Sequence, residues 1–184
     1  MPSNRLALYS QRMAAVTLIF VAAMMIINAV IWLFPDIESE YGLGFSLSRR
    51  MLSSLSEDAM SMTGWQSLGA ILLSSIPLLA LAAGLVNLRQ LFNRYAQGQY
   101  FSSEAANLLG KAGRAVALWV FLDFLCEPLL SLWVTMNAPA GQHILSISIT
   151  APSFVALFIA GCIAIIARIL SQASEVESEN RTFV

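Results

Sequence analysis

Residues 13–34 read MAAVTLIFVAAMMIINAVIWLF, an uncharged run closed by Arg12 on one side and Asp36 on the other. About twenty apolar residues, rising 1.5 Å each in a helix, cross a hydrocarbon core of roughly 30 Å. The run is therefore long enough to span a membrane. With Arg5 and Arg12 ahead of it, it superficially resembles a secretory signal peptide. It exceeds the roughly 7–15 residues of such a peptide's apolar region, and no small-x-small cleavage site follows. The expectation is a retained anchor.

Three further stretches repeat the pattern. Residues 59–88 carry no charge and are most apolar over Leu68 to Leu88, with Pro77 in the middle. A proline there frees the carbonyl of Leu73, which membrane helices tolerate when hydroxyls such as those of Ser74 and Ser75 lie nearby. Ala115 to Val134 is apolar except for Asp123 and Glu127, with Pro128 immediately after. The last stretch runs from Ser153 to Ala167 and continues past Arg168 to Leu170. Its Ala156, Ala160 and Ala164, with Gly161 alongside, offer a small-residue face for close helix approach. The expected fold is all-α, an integral membrane bundle of four transmembrane helices with cytoplasmic helical extensions. One membrane domain, 1–184, would hold spans at about 13–34, 66–88, 113–134 and 152–170. The outer loop would be 35–62, the inner loop 89–112 and the tail 171–184.

Composition leads to the same class. Of 184 residues, 58% are hydrophobic and 11% charged, and the mean hydropathy is +0.71. Soluble domains have roughly 45–50% apolar and about 25% charged residues, so this chain lacks the material for a water-facing surface. The lipid bilayer is its expected partner. A net charge of −1 gives no field to recruit nucleic acid, so no direct nucleic-acid partner is expected. Cys126, Cys162 and the lone His143 provide no zinc-ligand spacing, and no metal or cofactor is expected. Both thiols read as small buried hydrophobes. No phosphate loop, dinucleotide fingerprint or nucleophile elbow is present, and the chain reads as non-enzymatic.

Orientation follows from the basic residues near the spans. Arg5 and Arg12 precede the first span, Arg89, Arg94, Lys111 and Arg114 lie between the second and third, and Arg168 and Arg181 follow the fourth. Those segments hold eight of the ten Lys and Arg. The other two, Arg49 and Arg50, share the 35–62 loop with Asp36, Glu38, Glu40, Glu57 and Asp58. Both termini are expected in the cytoplasm of a bacterial inner membrane. In the outer loop, Leu47, Met51, Leu52, Leu55 and Ala59 fall at helical spacing, which predicts a short amphipathic helix lying on the outer surface. Ser102 or Ser103 is placed to cap a helix that carries Glu104 in its first turn and runs into the third span. Trp32, Tyr41, Trp65, Trp119 and Trp133 read as interfacial aromatics.

Two places could carry function. Asp123 and Glu127, at i and i+4, share a helix face about 6 Å apart along the axis. A charged carboxylate at mid-bilayer costs roughly 2.5–3.5 kcal/mol, so both are expected to face protein, paired or partly protonated, near Asn28, Ser74 and Ser75. They could serve a proton or cation relay, or a hydrogen-bond cluster that fixes helix register. The second place is cytoplasmic: Phe92, Arg94, Tyr95 and Phe101 around a turn at Gly98, together with the tail's Glu175, Glu177 and Glu179, could present a surface to a regulatory protein. The inner-loop basic residues could also meet acidic lipid headgroups.

The stretch LFNRYAQGQYF, Leu91 to Phe101, followed by Ser102, Ser103 and Glu104, resembles the central signature of a bacterial membrane family, Domain of Unknown Function 2975. Leu122-Asp123-Phe124-Leu125 with Pro128-Leu129-Leu130-Ser131-Leu132 is similar to that family's third span. The ending, from Ala167-Arg168 through Ala173 to Ser178-Glu179-Asn180 and Phe183-Val184, is similar too. Members often have polar or acidic residues before the fourth span, where this chain has Ala151 and Pro152. The resemblance implies a membrane protein encoded beside a small helix-turn-helix regulator, hence a membrane partner in a signalling or stress-response system. The rival reading is a small transporter, channel or immunity-type protein using Asp123 and Glu127.

Overall fold

The computed structural model describes residues 3–34, 47–54, 64–99, 102–137, 145–148 and 150–182. Every regular element among them is an α-helix: α1 (Ser3–Leu33), α2 (Leu47–Ser54), α3 (Gly64–Ala96), α4 (Ser103–Thr135) and α5 (Ala151–Thr182). Of these, α1, α3, α4 and α5 are long and apolar enough to cross a membrane. The 33 residues of α3 and of α4 extend each to about 50 Å, longer than a hydrocarbon core of roughly 30 Å. Pro77 and Pro128 lie inside α3 and α4 without ending them.

Burial along these helices is low. Within their most apolar stretches, 28% is buried in α1 and in α3, 33% in α4 and 11% in α5. Ile19, Leu72 and Phe158 stand among many large apolar side chains left uncovered. In water, faces of that extent associate or aggregate; in lipid they are already solvated.

The chain forms two compact units. One comprises 22–79 and 119–150, the other 1–21, 80–118 and 151–184. The first has a core of Ile31, Trp32, Leu47, Met51, Ala70, Cys126, Leu130 and Val134. Two sequence expectations change here. Leu47 and Met51 of α2 are buried in that core, so the helix turns its apolar face to protein instead of lying on a lipid surface. Trp32 is not an interfacial aromatic: it is 1% exposed and its Nε1 donates to Ser74 Oγ at 3.0 Å. Both follow from competition for one apolar face, where packed side chains provide contacts that a headgroup layer lacks. Cys126 is a buried free thiol and Cys162 a half-buried one.

In the other unit, Leu91, Ala105 and Leu108 form a core with Leu88, Tyr95 and Leu109 against it. Close approach between α4 and α5 is built on α4. A Cβ on Gly113 would lie 3.0 Å from Ile163 Cγ2 and 3.2 Å from the Ala160 carbonyl, and one on Gly110 would lie 3.5 Å from Ala167 Cβ. The contact row on α5 is therefore Ala160, Ile163 and Ala167, whereas Gly161 meets nothing within 4 Å and Ala164 is exposed. Of the small-residue face read from sequence, Ala160 is in the contact, and the notch that lets the helices approach is provided by α4's glycines.

The turn between α3 and α4 has caps on both sides. Gly98 adopts φ +82°, its N–H donates to the Tyr95 carbonyl at 3.0 Å, and the Gln99 N–H donates to the Arg94 carbonyl at 3.1 Å. This pair of bonds satisfies the last carbonyls of α3, and the left-handed φ favours glycine. Ser102 caps α4: its Oγ accepts from the Ala105 N–H at 3.1 Å.

Candidate functional site

Asp123 and Glu127 lie on one face of α4 and are 5% and 1% exposed. Their neighbours along α4, such as Phe124, Leu125 and Cys126, are apolar, so polar partners must come from other segments. The cation comes from α2. With Leu47 and Met51 seated in the core, Arg50 is turned toward α4, and its Nη2 bonds Asp123 Oδ2 and lies 3.5 Å from Glu127 Oε2. The guanidinium side chain is 25% exposed, against 7% and 1% for the two acids. One arginine thus bridges both carboxylates in surroundings of low dielectric, where an unpaired ion would be costly.

The other oxygen of Glu127 is held by the segment before α5. Ser146 Oγ donates to Glu127 Oε1 at 2.9 Å and Ser148 Oγ donates to it at 2.6 Å. The Ser146 N–H donates to Ser131 Oγ at 3.2 Å. Serines two residues apart reach the same acceptor because side chains of an extended chain alternate sides. Leu145 and Ile147, which alternate with the serines, are both 60% exposed. Irregular backbone at such a place needs protein partners for its polar groups, and α4 provides them. Ser131 itself donates to the Pro128 carbonyl at 2.9 Å, beside the proline that interrupts the helix's own hydrogen bonding.

The polar neighbours expected from the first two spans form a separate cluster. Asn28 Nδ2 donates to Ser74 Oγ at 3.0 Å and to Ser75 Oγ at 3.2 Å. Ser74 Oγ donates onward to the Ile71 carbonyl at 3.2 Å. These bonds join α1 to α3. Sequence reasoning missed Arg50, Ser146 and Ser148. Two signals for them were present. Arg50 lies three residues after Leu47 on an amphipathic helix, so burying Leu47 turns Arg50 toward the same side. Residues 145–150, LSISIT, alternate apolar and polar with a period of two, the pattern of a half-buried extended segment.

At the α3–α4 turn, the proposed partner-surface residues are only partly gathered. Tyr95 packs against Leu91, Ala105 and Leu108, Phe92 is half-buried on α3, and Gly98 makes the turn. Arg94 is engaged locally, with Nη2 2.5 Å from Glu104 Oε1 and Nη1 donating to Gln99 Oε1 at 3.2 Å. Glu175 is exposed on α5. Phe101 and the side chains of Glu177 and Glu179 lie outside the described residues. So do Leu55 and Ala59 of the amphipathic pattern, Tyr41 and His143. Among the described residues, no three His, Cys, Asp or Glu side chains are grouped to hold a metal ion.

The arrangement can do two things chemically. It can lock α2 and the 145–148 segment onto α4, and it can hold one more negative than positive charge when both acids are ionised. Neither property is a fingerprint of a reaction. No curated protein and no solved structure matches the chain. The α3–α4 turn, the acid-bearing α4 and the long closing helix all fall within one family match covering residues 4–184, and the chain belongs to that family, described as Protein of unknown function (DUF2975).

Proposed function

We propose that the protein is a non-enzymatic multi-pass component of a bacterial cytoplasmic membrane, with both termini in the cytoplasm. In this reading it is the membrane partner of a small helix-turn-helix regulator in a signalling or stress-response system. The observation that carries it is the capture of Asp123 and Glu127 by the chain's own Arg50, Ser146 and Ser148. The buried acidic groups among the described residues are engaged in holding α2 and the 145–148 segment, as suits a protein whose work is to display surfaces. Orientation rests on the basic residues, eight of ten of which flank the proposed cytoplasmic ends. Reporter fusions after Leu55 and His143 should read outside, and those after Gln97 and Val184 inside. A Gln97 fusion reading outside overturns the orientation.

The partner reading is tested by purifying the full-length protein from its native cells and probing for a retained small helix-turn-helix regulator. Wild type should retain the regulator, and a variant with Glu175, Glu177 and Glu179 changed to Lys should lose it at unchanged thermal stability. A wild type that retains none, or a reversed tail that only destabilises the protein, overturns the reading. A second reading, a small proton- or cation-handling transporter, is favoured by one observation: two carboxylates face one guanidinium. Proton-dependent flux into liposomes that is lost in Glu127→Gln would move the assignment to it.

A further inference from the structure

A groove of about 750 Å³ opens between the first half of α4 and the second half of α5. Its floor is the close helix contact, where Gly110 and Ala167 meet. Its polar lining includes Ser103, Asn107, Ser171 and two arginines, Arg114 and Arg168. Both arginines are exposed. Arg114 Nε donates to the Gly110 carbonyl at 3.4 Å, which leaves its terminal amino groups pointing elsewhere, and neither guanidinium has a carboxylate partner among the described residues. Glu104 also lines the groove, but its carboxylate is held by Arg94 at 2.5 Å. The groove therefore offers two uncompensated cations, with hydroxyl and amide groups beside them.

Its place along the helices narrows the ligand. The spans read from sequence begin at 113 and end at 170, so Arg114 and Arg168 sit within two residues of a membrane boundary, and α4 and α5 run antiparallel between those boundaries. Ile165 and Ile166, on the interior side of Arg168 along α5, are 63% and 51% exposed. Charge is thus at the boundary and uncovered apolar surface continues from it toward the membrane interior. An arginine pair suits a phosphate diester, which accepts paired N–H donors, and the apolar surface suits acyl chains. We propose that this groove is a binding site for an acidic phospholipid, with the headgroup phosphate between Arg114 and Arg168 and the acyl chains along α5. The site rests on the membrane-spanning reading of α4 and α5 and is independent of the regulator.

The test uses the full-length protein purified in a non-ionic detergent, with bound lipid counted by native mass spectrometry. Dioleoylphosphatidylglycerol is titrated against dioleoylphosphatidylcholine, and inorganic phosphate is added separately as a competitor. Wild type should retain phosphatidylglycerol selectively. Arg114→Gln/Arg168→Gln should bind it about tenfold more weakly or worse, since each basic residue at a surface adds several-fold to the affinity for anionic lipid. Arg5→Gln/Arg12→Gln, which removes the same charge elsewhere, should bind like wild type. Ala164→Trp leaves both arginines in place but fills the groove, and should also lose the lipid, so the result does not depend on one variant folding. The proposal is overturned if phosphatidylcholine is retained equally, if either groove variant binds phosphatidylglycerol like wild type, or if Arg5→Gln/Arg12→Gln loses it to the same extent. Displacement by millimolar inorganic phosphate would make this a soluble-anion site and overturn the lipid assignment. A failed fusion assay, by contrast, would strike at the orientation alone.

Discussion

Arg50 and Arg94 each bridge to acidic side chains of α4, but in contrasting surroundings. The Arg50 side chain is 25% exposed and its two acids 7% and 1%, whereas Arg94 and Glu104 are 36% and 56% exposed. The contacts are alike in chemistry, so the difference isolates what burial does. A buried pair can add little to net stability, because desolvation offsets attraction, yet losing one member leaves an uncompensated charge. An exposed pair loses little, because water solvates whichever partner remains. The first arrangement can fix the positions of α2 and the 145–148 segment; the second can be remade without consequence for the fold.

The largest expected effect comes from breaking the buried set. Arg50→Met should lower stability by about 3–5 kcal/mol, the usual cost of stranding a buried ionised partner. Here two carboxylates are stranded. Thermal unfolding in detergent, with chemical denaturation for the free energy, measures it. Adding Asp123→Leu and Glu127→Leu to that variant should restore most of the loss, since no charge is then left unpaired. A triple variant as unstable as Arg50→Met would mean that the guanidinium's packing, not its charge, holds the unit together. Asp123→Asn/Glu127→Gln should be milder than Asp123→Leu/Glu127→Leu, because amides still accept from Arg50.

The same contrast explains what could be read from the sequence. Helix number and class were legible because charge-free runs of membrane-spanning length leave no alternative. The turn at Gly98 was legible because a local φ requirement is written in one residue. So was the likelihood that two carboxylates in an apolar helix would be buried. The identity of their partners was not. Arg50 is 73 residues from Asp123, and Ser146 is 19 from Glu127, and no local rule links them. Equal depth along neighbouring spans suggested Asn28 and Ser74 as partners, but Asn28 and Trp32 both donate to Ser74 instead. Counting Arg50 as a loop charge also concealed it, since its burial depends on Leu47 and Met51 docking in the core.

A smaller loss should follow when the serines are removed. Ser146→Ala/Ser148→Ala takes both hydroxyl donors from Glu127 Oε1 and leaves a buried oxygen short of partners, at about 1–3 kcal/mol. Arg50 remains, so the charge stays compensated and the effect should fall below that of Arg50→Met. The rate of limited proteolysis within 145–148 should rise in the same variant. No rise would show that other contacts hold 145–148 in place. Gly98→Val should cost less again, about 1–2 kcal/mol for a left-handed φ on a branched residue. Nothing lies within 4 Å of a Cβ there, so the penalty is conformational and Gly98→Asn should recover part of it.

The exposed pair sets the lower end of the scale. Arg94 and Glu104 lie 2.5 Å apart, close enough that geometry alone would suggest a strong contact. Two considerations weaken it. Both side chains are well hydrated, so the attraction acts through a high effective dielectric. Arg94 also has Gln99 as a second partner at 3.2 Å, so losing Glu104 does not strand it. A double-mutant cycle through Arg94→Ala, Glu104→Ala and the pair should therefore give a coupling of about 0.2–1 kcal/mol. That coupling should shrink as salt is raised toward about 1 M, where the screening length falls to roughly 3 Å. The corresponding cycle between Arg50 and Glu127 should be larger and nearly insensitive to salt, because ions do not reach it. If the Arg94–Glu104 coupling instead matched the buried one and resisted salt, the α3–α4 turn would be shielded from solvent. The division between a locked set and a remakeable one would then fail.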